Sequence, residues 1–101
     1  AIWGSFGVYT LDVIAMAHNN AGSALTMLGR PDDGEQELQA AMTRDCYYPM
    51  PLFNLALIAA LRGDQANGEA MLKRAFQLGY PAHSLDKMHK TIGEIYAAIP
   101  R

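Results

Sequence analysis

Between Thr10 and Leu28 the apolar positions Leu11, Ile14, Ala17, Ala21, Leu25 and Leu28 recur every three or four residues. That spacing predicts an amphipathic helix with these side chains along one face. A second helix is predicted over 31–45, with Leu38, Ala41 and Met42 on one side, a third over 51–62 and a fourth over 65–78. In a fifth, Leu85, Met88, Ile92, Ile95, Tyr96 and Ile99 make a single apolar stripe, with Ser84 as its cap.

The punctuation between these runs agrees with them. Gly29 suits a left-handed helix end, and Pro31 suits the first turn of the next helix, with Asp32 and Asp33 at its positive end. Pro49 and Pro51 stop one element and start another. Gly63 and Asp64 form a second tight turn in which Asp64 is the N-cap, and the "GYP" of residues 79–81 ends the fourth helix. No strand is predicted; the "GSFGVYT" of residues 4–10 reads as a loop. Short turns force neighbouring helices to lie antiparallel, so the fold class is all-α.

The helices also repeat. Residues 19–45 set against 53–79 share six identities in 27 positions: Asn20 with Asn54, Gly29 with Gly63, Gly34 with Gly68, Glu35 with Glu69, Leu38 with Leu72 and Ala41 with Ala75. About one or two would arise by chance, and a helical hairpin recurring every 34 residues is a solenoid signature. Most of the shared residues are geometric. A glycine closes the first helix of each pair, a small residue lets the two helices approach, and a leucine and an alanine one turn apart fill the gap.

On these residues the chain resembles the tetratricopeptide repeat. The first repeat supplies Ala21, Gly22, Leu25, Gly29, Gly34, Leu38 and Ala41. The second supplies Leu52, Leu55, Ala56, Ala59, Gly63, Gly68, Leu72, Ala75 and Phe76, and residues 84–99 resemble the family's capping helix. The chain departs from the pattern where His18 takes a large apolar position and where Cys46 and Tyr80 replace the terminal proline. The resemblance implies a TPR-like right-handed α-solenoid in one domain. An N-terminal apolar extension spans 1–14, the repeats span 15–48 and 49–82, and a cap spans 83–101.

What the resemblance implies about function is binding, not catalysis: the first helix of each repeat lines a groove for a segment of a partner protein. Carried over position by position, that groove takes Met16, Asn19, Asn20, Ser23, Thr26 and Met27 from the first repeat. The second contributes Met50, Phe53, Asn54, Leu57 and Ala60. It is nearly uncharged, with methionines as adaptable apolar surface and Asn20 and Asn54 poised to bond a partner's backbone. The alternative for several of these side chains is packing beneath a further helix layer. A carboxylate clamp for acidic C-termini, known in the family, is only half present: Asn54 matches and His83 and Lys87 stand near the required bases. Asn19 and Ser23 occupy the places of its Lys and Asn.

Composition adds limits. Among 101 residues the net charge is −2, which gives no basic footprint for nucleic acid. Residues 1–50 hold six acids and two bases and residues 51–101 four acids and six bases, an acidic front and a basic back. The single Cys46 builds neither an intrachain disulfide nor a zinc site alone; it reads as a buried stand-in for the repeat's proline. It fits a reducing, cytoplasmic compartment, with a periplasmic or secreted one left open by removal of a leader. No apolar run reaches the ~20 residues of a membrane span. Arg62-Gly63-Asp64 is turn chemistry, and His83 with His89 lacks further ligands for a metal. No nucleophile elbow or phosphate loop is present. The expected protein is therefore not an enzyme, with no cofactor. It is an adaptor, or alternatively an assembly subunit or small secretion chaperone. Trp3, Phe6, Val8 and Tyr9 of the leading segment suggest a homo-oligomer, and Tyr47 and Tyr48 are read as a staple between the repeats.

Overall fold

The computed structural model describes residues 12–79 and 82–98, and among these it is all-helical. The helices are α1 (Val13–Met27), α2 (Pro31–Arg44), α3 (Met50–Leu61), α4 (Gln65–Gln77) and α5 (Ala82–Ala98). The leading segment with Trp3, Phe6, Val8 and Tyr9 lies outside the described residues, as does Ile99.

Local chemistry sets the boundaries. The Asp12 carboxylate caps α1 by accepting from the amides of Ile14 at 2.9 Å and Ala15 at 3.1 Å. Pro31 opens α2, where its missing amide costs nothing. Asp64 caps α4 through the Asn67 amide, as its sequence position predicts. The fifth helix begins earlier than expected: Ser84 lies inside α5 and is not its cap, because Ala82, a strong helix former, extends the helix.

The two interior turns repeat in atomic detail. Gly29 and Gly63 both adopt φ of 78°, a left-handed conformation that favours glycine. After the first, the Arg30 amide donates to the Leu25 carbonyl at 2.9 Å; after the second, the Asp64 amide donates to the Ala59 carbonyl at 2.8 Å. The Gly29-to-Thr26 and Gly63-to-Ala60 bonds, at 3.1 and 3.0 Å, are likewise 34 residues apart. Both turns thus satisfy the last carbonyls of a helix in the same way.

Packing follows from these turns. Helix α1 lies on α2 and α3 on α4; α3 also touches α1 and α2, and α5 covers α3 and α4. Leu38, Leu55 and Ile58 fill the joint between the hairpins. Leu52, Ala56, Ala60, Leu72, Ala75, Met88 and Ile92 form the core under α5. Arg62, at the C-terminal end of α3, reaches the N-terminal part of α2, where it bonds Asp32 and, at 2.7 Å, Glu35. Its guanidinium is held protonated above its ordinary value, first by Glu35 and then by Asp32, against the opposing effect of burial.

Three expectations are corrected by the packing. The Ile14–Leu28 stripe of α1 is not its buried face: Ile14, Ala17 and Leu28 are exposed, Ala21 and Leu25 are half-buried, and the buried face is Ala15, Asn19 and Gly22, while Leu11 lies outside the described residues. At Gly22 nothing larger fits, because Leu38 and Gly34 of α2 approach too closely, and Asn19 turns inward to pair with Asn54 of α3. Cys46 is exposed, as is Tyr47, whereas Tyr48, two residues on, turns inward, where its hydroxyl accepts from the Asn19 amide. The expected tyrosine staple is therefore Tyr48 alone.

Candidate functional site: the surface of α1 and α3

Helices α1 and α3 are the first helices of the two hairpins, and buried amides join them. The Asn54 side-chain amide donates to the Asn19 carbonyl oxygen at 2.8 Å, and the Asn19 amide donates to the Tyr48 hydroxyl at 3.4 Å. Both asparagines are nearly closed off from solvent. A buried amide left without a partner costs about 1–3 kcal/mol, so this chain of bonds fixes one lateral register of α3 against α1.

Around α1, contacts assign each face. His18 Nδ1 lies 2.7 Å from a Glu37 carboxylate oxygen on α2, and Gly22 and Thr26 meet Gly34 of α2. Asn19 points at α3. Next to Asn19, on the side away from α2, the helix carries Met16, Asn20, Ser23 and Met27. Met16 and Ser23 are half-buried, Asn20 is exposed and Met27 is 86% exposed. At the equivalent positions α3 presents Met50 and Leu57, both half-buried, and the exposed Leu61. Neither helix contains Asp, Glu, Lys or Arg. The result is an uncharged surface with adaptable thioethers and one outward amide.

The other expected groove residues stand elsewhere. Thr26 donates its hydroxyl to the Gly22 carbonyl at 2.8 Å and faces α2. Phe53 packs with the core beneath α5, as the further-layer alternative has it, and Ala60 is part of that core. Leu57 also touches this core while keeping part of its surface exposed. Asn19 and Asn54 form the buried floor, so Asn54 does not offer its amide to a partner's backbone. The half clamp thereby loses its matching asparagine. Lys87 is exposed on α5, and the side chain of His83 lies outside the described residues.

The sequence missed a second concavity. Between α4 and α5 a space of about 500 Å³ is lined by Glu69, Ala70, Leu72, Lys73, Phe76, Asp86 and His89. Its walls are mixed: Phe76 is 56% exposed, and His89 Nδ1 sits 3.0 Å from Glu69 across the two helices. The only advance signal was Phe76 following Ala75 at a position where its counterpart is Met42.

Among the described residues no cluster of three or more His, Cys, Asp or Glu could hold a metal ion. No described helix is long and apolar enough to cross a membrane. No protein-family model matches this chain, nor does any curated protein or solved structure.

Proposed function

We propose that this chain is a TPR-like helical-repeat adaptor that binds a peptide or helical segment of a partner protein on the α1/α3 surface. The observation that carries the reading is the buried Asn19–Asn54 pair. It holds α1 and α3 side by side and leaves Met16, Asn20, Ser23 and Met27 beside Met50 and Leu57 on one uncharged face. Two parallel first helices locked in register give a shallow trough along which an apolar side-chain row packs against the methionines. Asn20 supplies one donor and one acceptor for the segment's backbone. A neutral, methionine-rich surface favours partners of low charge and tolerates variation in shape. The 34-residue repetition of both turns supports the solenoid reading.

The test is selection of binders from a displayed peptide library against the full chain, followed by affinity measurement with Asn20→Asp/Met27→Glu. Both positions are exposed, so the variant keeps its melting temperature. Selected peptides of low charge should lose at least tenfold in affinity for it. Unchanged affinity would move the binding surface away from α1/α3.

A further inference from the structure

The methionine sulfurs differ sharply in what can reach them. Met88 is 5% exposed, and Met42 and Met71 pack against the core clusters. Met16 and Met50 are half-buried on the proposed binding surface. Met27, the last residue of α1, is 86% exposed, more than any other large apolar side chain among the described residues. Its counterpart 34 residues on is Leu61, the last residue of α3 and also exposed. Both hairpins thus present an apolar side chain at the same place, and only the first has a sulfur to oxidise.

We propose that Met27 is a modification site: a peroxide converts its thioether to the sulfoxide, and this reversible oxidation releases a partner segment from the α1/α3 surface. The release rests on the function proposed above, whereas the oxidation does not. Hydrogen peroxide supplies the oxygen. The sulfur lone pair forms an S–O bond as the O–O bond breaks, and the sulfur gives up two electrons. The proton of the transferred hydroxyl passes to the departing hydroxide, leaving water.

Access is the first reason, since a sulfur in the core meets peroxide only when the fold opens. The placement of Ser23 is the second. It stands four residues before Met27, one helical turn away on the same face. A thioether is a weak acceptor for its hydroxyl, and a sulfoxide oxygen is a strong one. Oxidation therefore exchanges an adaptable apolar contact for a polar group with a donor already beside it in α1. Met16 and Asn20 have the same spacing, but Met16 is half-buried. Neither α1 nor α3 contains Asp, Glu, Lys or Arg, so apolar contact is most of what this surface offers. A sulfoxide at Met27 removes part of that contact and must be desolvated when a partner covers it.

Limited oxidation of the full chain by hydrogen peroxide tests the proposal, in a Cys46→Ser background that removes the exposed thiol. Tandem mass spectrometry of its peptides reads the oxygen added at each methionine. Met27 should oxidise first and Met88 last, with circular dichroism unchanged. The protein oxidised at Met27 should bind a library-selected peptide about tenfold more weakly or worse, and methionine sulfoxide reductase with a thiol reductant should restore the affinity. Bound peptide should in turn slow the oxidation of Met27, since the coupling is reciprocal. Met27→Gln, a polar side chain at this exposed position, should keep its fold and bind as weakly as the oxidised protein. A map in which Met27 oxidises no faster than Met88 overturns the proposal, whatever the chain binds. Peptides lost by Asn20→Asp but held equally by the reduced and oxidised chains overturn the release and leave the binding surface standing. Should the reduced chain bind no peptide on α1/α3, the proposed function falls and the release falls with it.

Discussion

Three glycines that look alike in the sequence do different work. A Cβ on Gly34 would come within 2.6 Å of the Thr26 hydroxyl and 2.8 Å of the Gly22 carbonyl oxygen. One on Gly22 would meet Leu38 at 2.6 Å and the Gly34 carbonyl at 2.9 Å. At Gly68 the nearest atom, the Ala56 carbonyl oxygen, is 3.4 Å away, an ordinary contact. Gly34→Ala is therefore predicted to destabilise by about 1–3 kcal/mol through overpacking. Gly68→Ala should stabilise by up to about 1 kcal/mol, the helix-propensity difference. Denaturant titrations of the two variants check the opposite signs. The sequence shows that both positions need a small residue. It hides the difference, which arises because Gly34 faces a glycine and Gly68 faces Ala56.

A pH effect also belongs to a single residue. The Ala15 amide above all, joined by the Arg44 guanidinium and the Ile14 amide, holds the Asp12 carboxyl below its ordinary value of 3.8, against desolvation, which ranks second among the effects and opposes it. A carboxyl depressed in the folded state stabilises it above the unfolded value, and that contribution disappears as pH falls through the folded one. Asp12→Asn keeps a capping side chain but loses the charge facing Arg44. It should be less stable than the wild type at pH 7, with the gap closing below about pH 4. Unfolding midpoints at pH 7 and pH 3 give the comparison; a gap that is constant or widens in acid would refute the assignment.

Helix α5 closes the second hairpin as α3 closes the first. Ile92 is 1% exposed and packs with Leu52 and Leu72, so Ile92→Ala should cost about 2–5 kcal/mol. That is a large share of the ~5–15 kcal/mol expected for a whole domain. A thermal melt should therefore show a pronounced loss, whereas a shift of a degree or two would mean that α5 is not part of the core. Helix existence and turn chemistry were legible at this scale, because Gly29, Pro31, Gly63 and Asp64 have strong local preferences. The direction in which α1 faces was not. Its Ile14–Leu28 stripe has proper helical spacing, but spacing identifies a face without saying what meets it. The face that does pack, Ala15, Asn19 and Gly22, is too small and too polar to register as a core stripe.

Across the whole molecule the repeat register explains which of the expected groove positions stay at the surface. Met16, Asn20, Ser23, Met27, Met50 and Leu57 could be expected at the surface of α1 and α3 from the hairpin period alone, and all are exposed or half-buried there, Leu57 while also packing against the core under α5. Asn19, Asn54, Thr26 and Phe53 could not, because each turns on a contact between helices: the paired amides, the Gly22–Gly34 crossing and the α5 layer. The six methionines divide along the same line. Met16, Met27 and Met50 belong to the proposed binding surface, while Met42, Met71 and Met88 pack in or against the core. Methionine-methyl NMR of the full chain, with a peptide from the library selection added, reads both sets at once. Met16, Met27 and Met50 should shift as the peptide saturates while Met71 and Met88 hold still. Shifts confined to Met71 and Met88 would contradict it and place binding away from the α1/α3 surface.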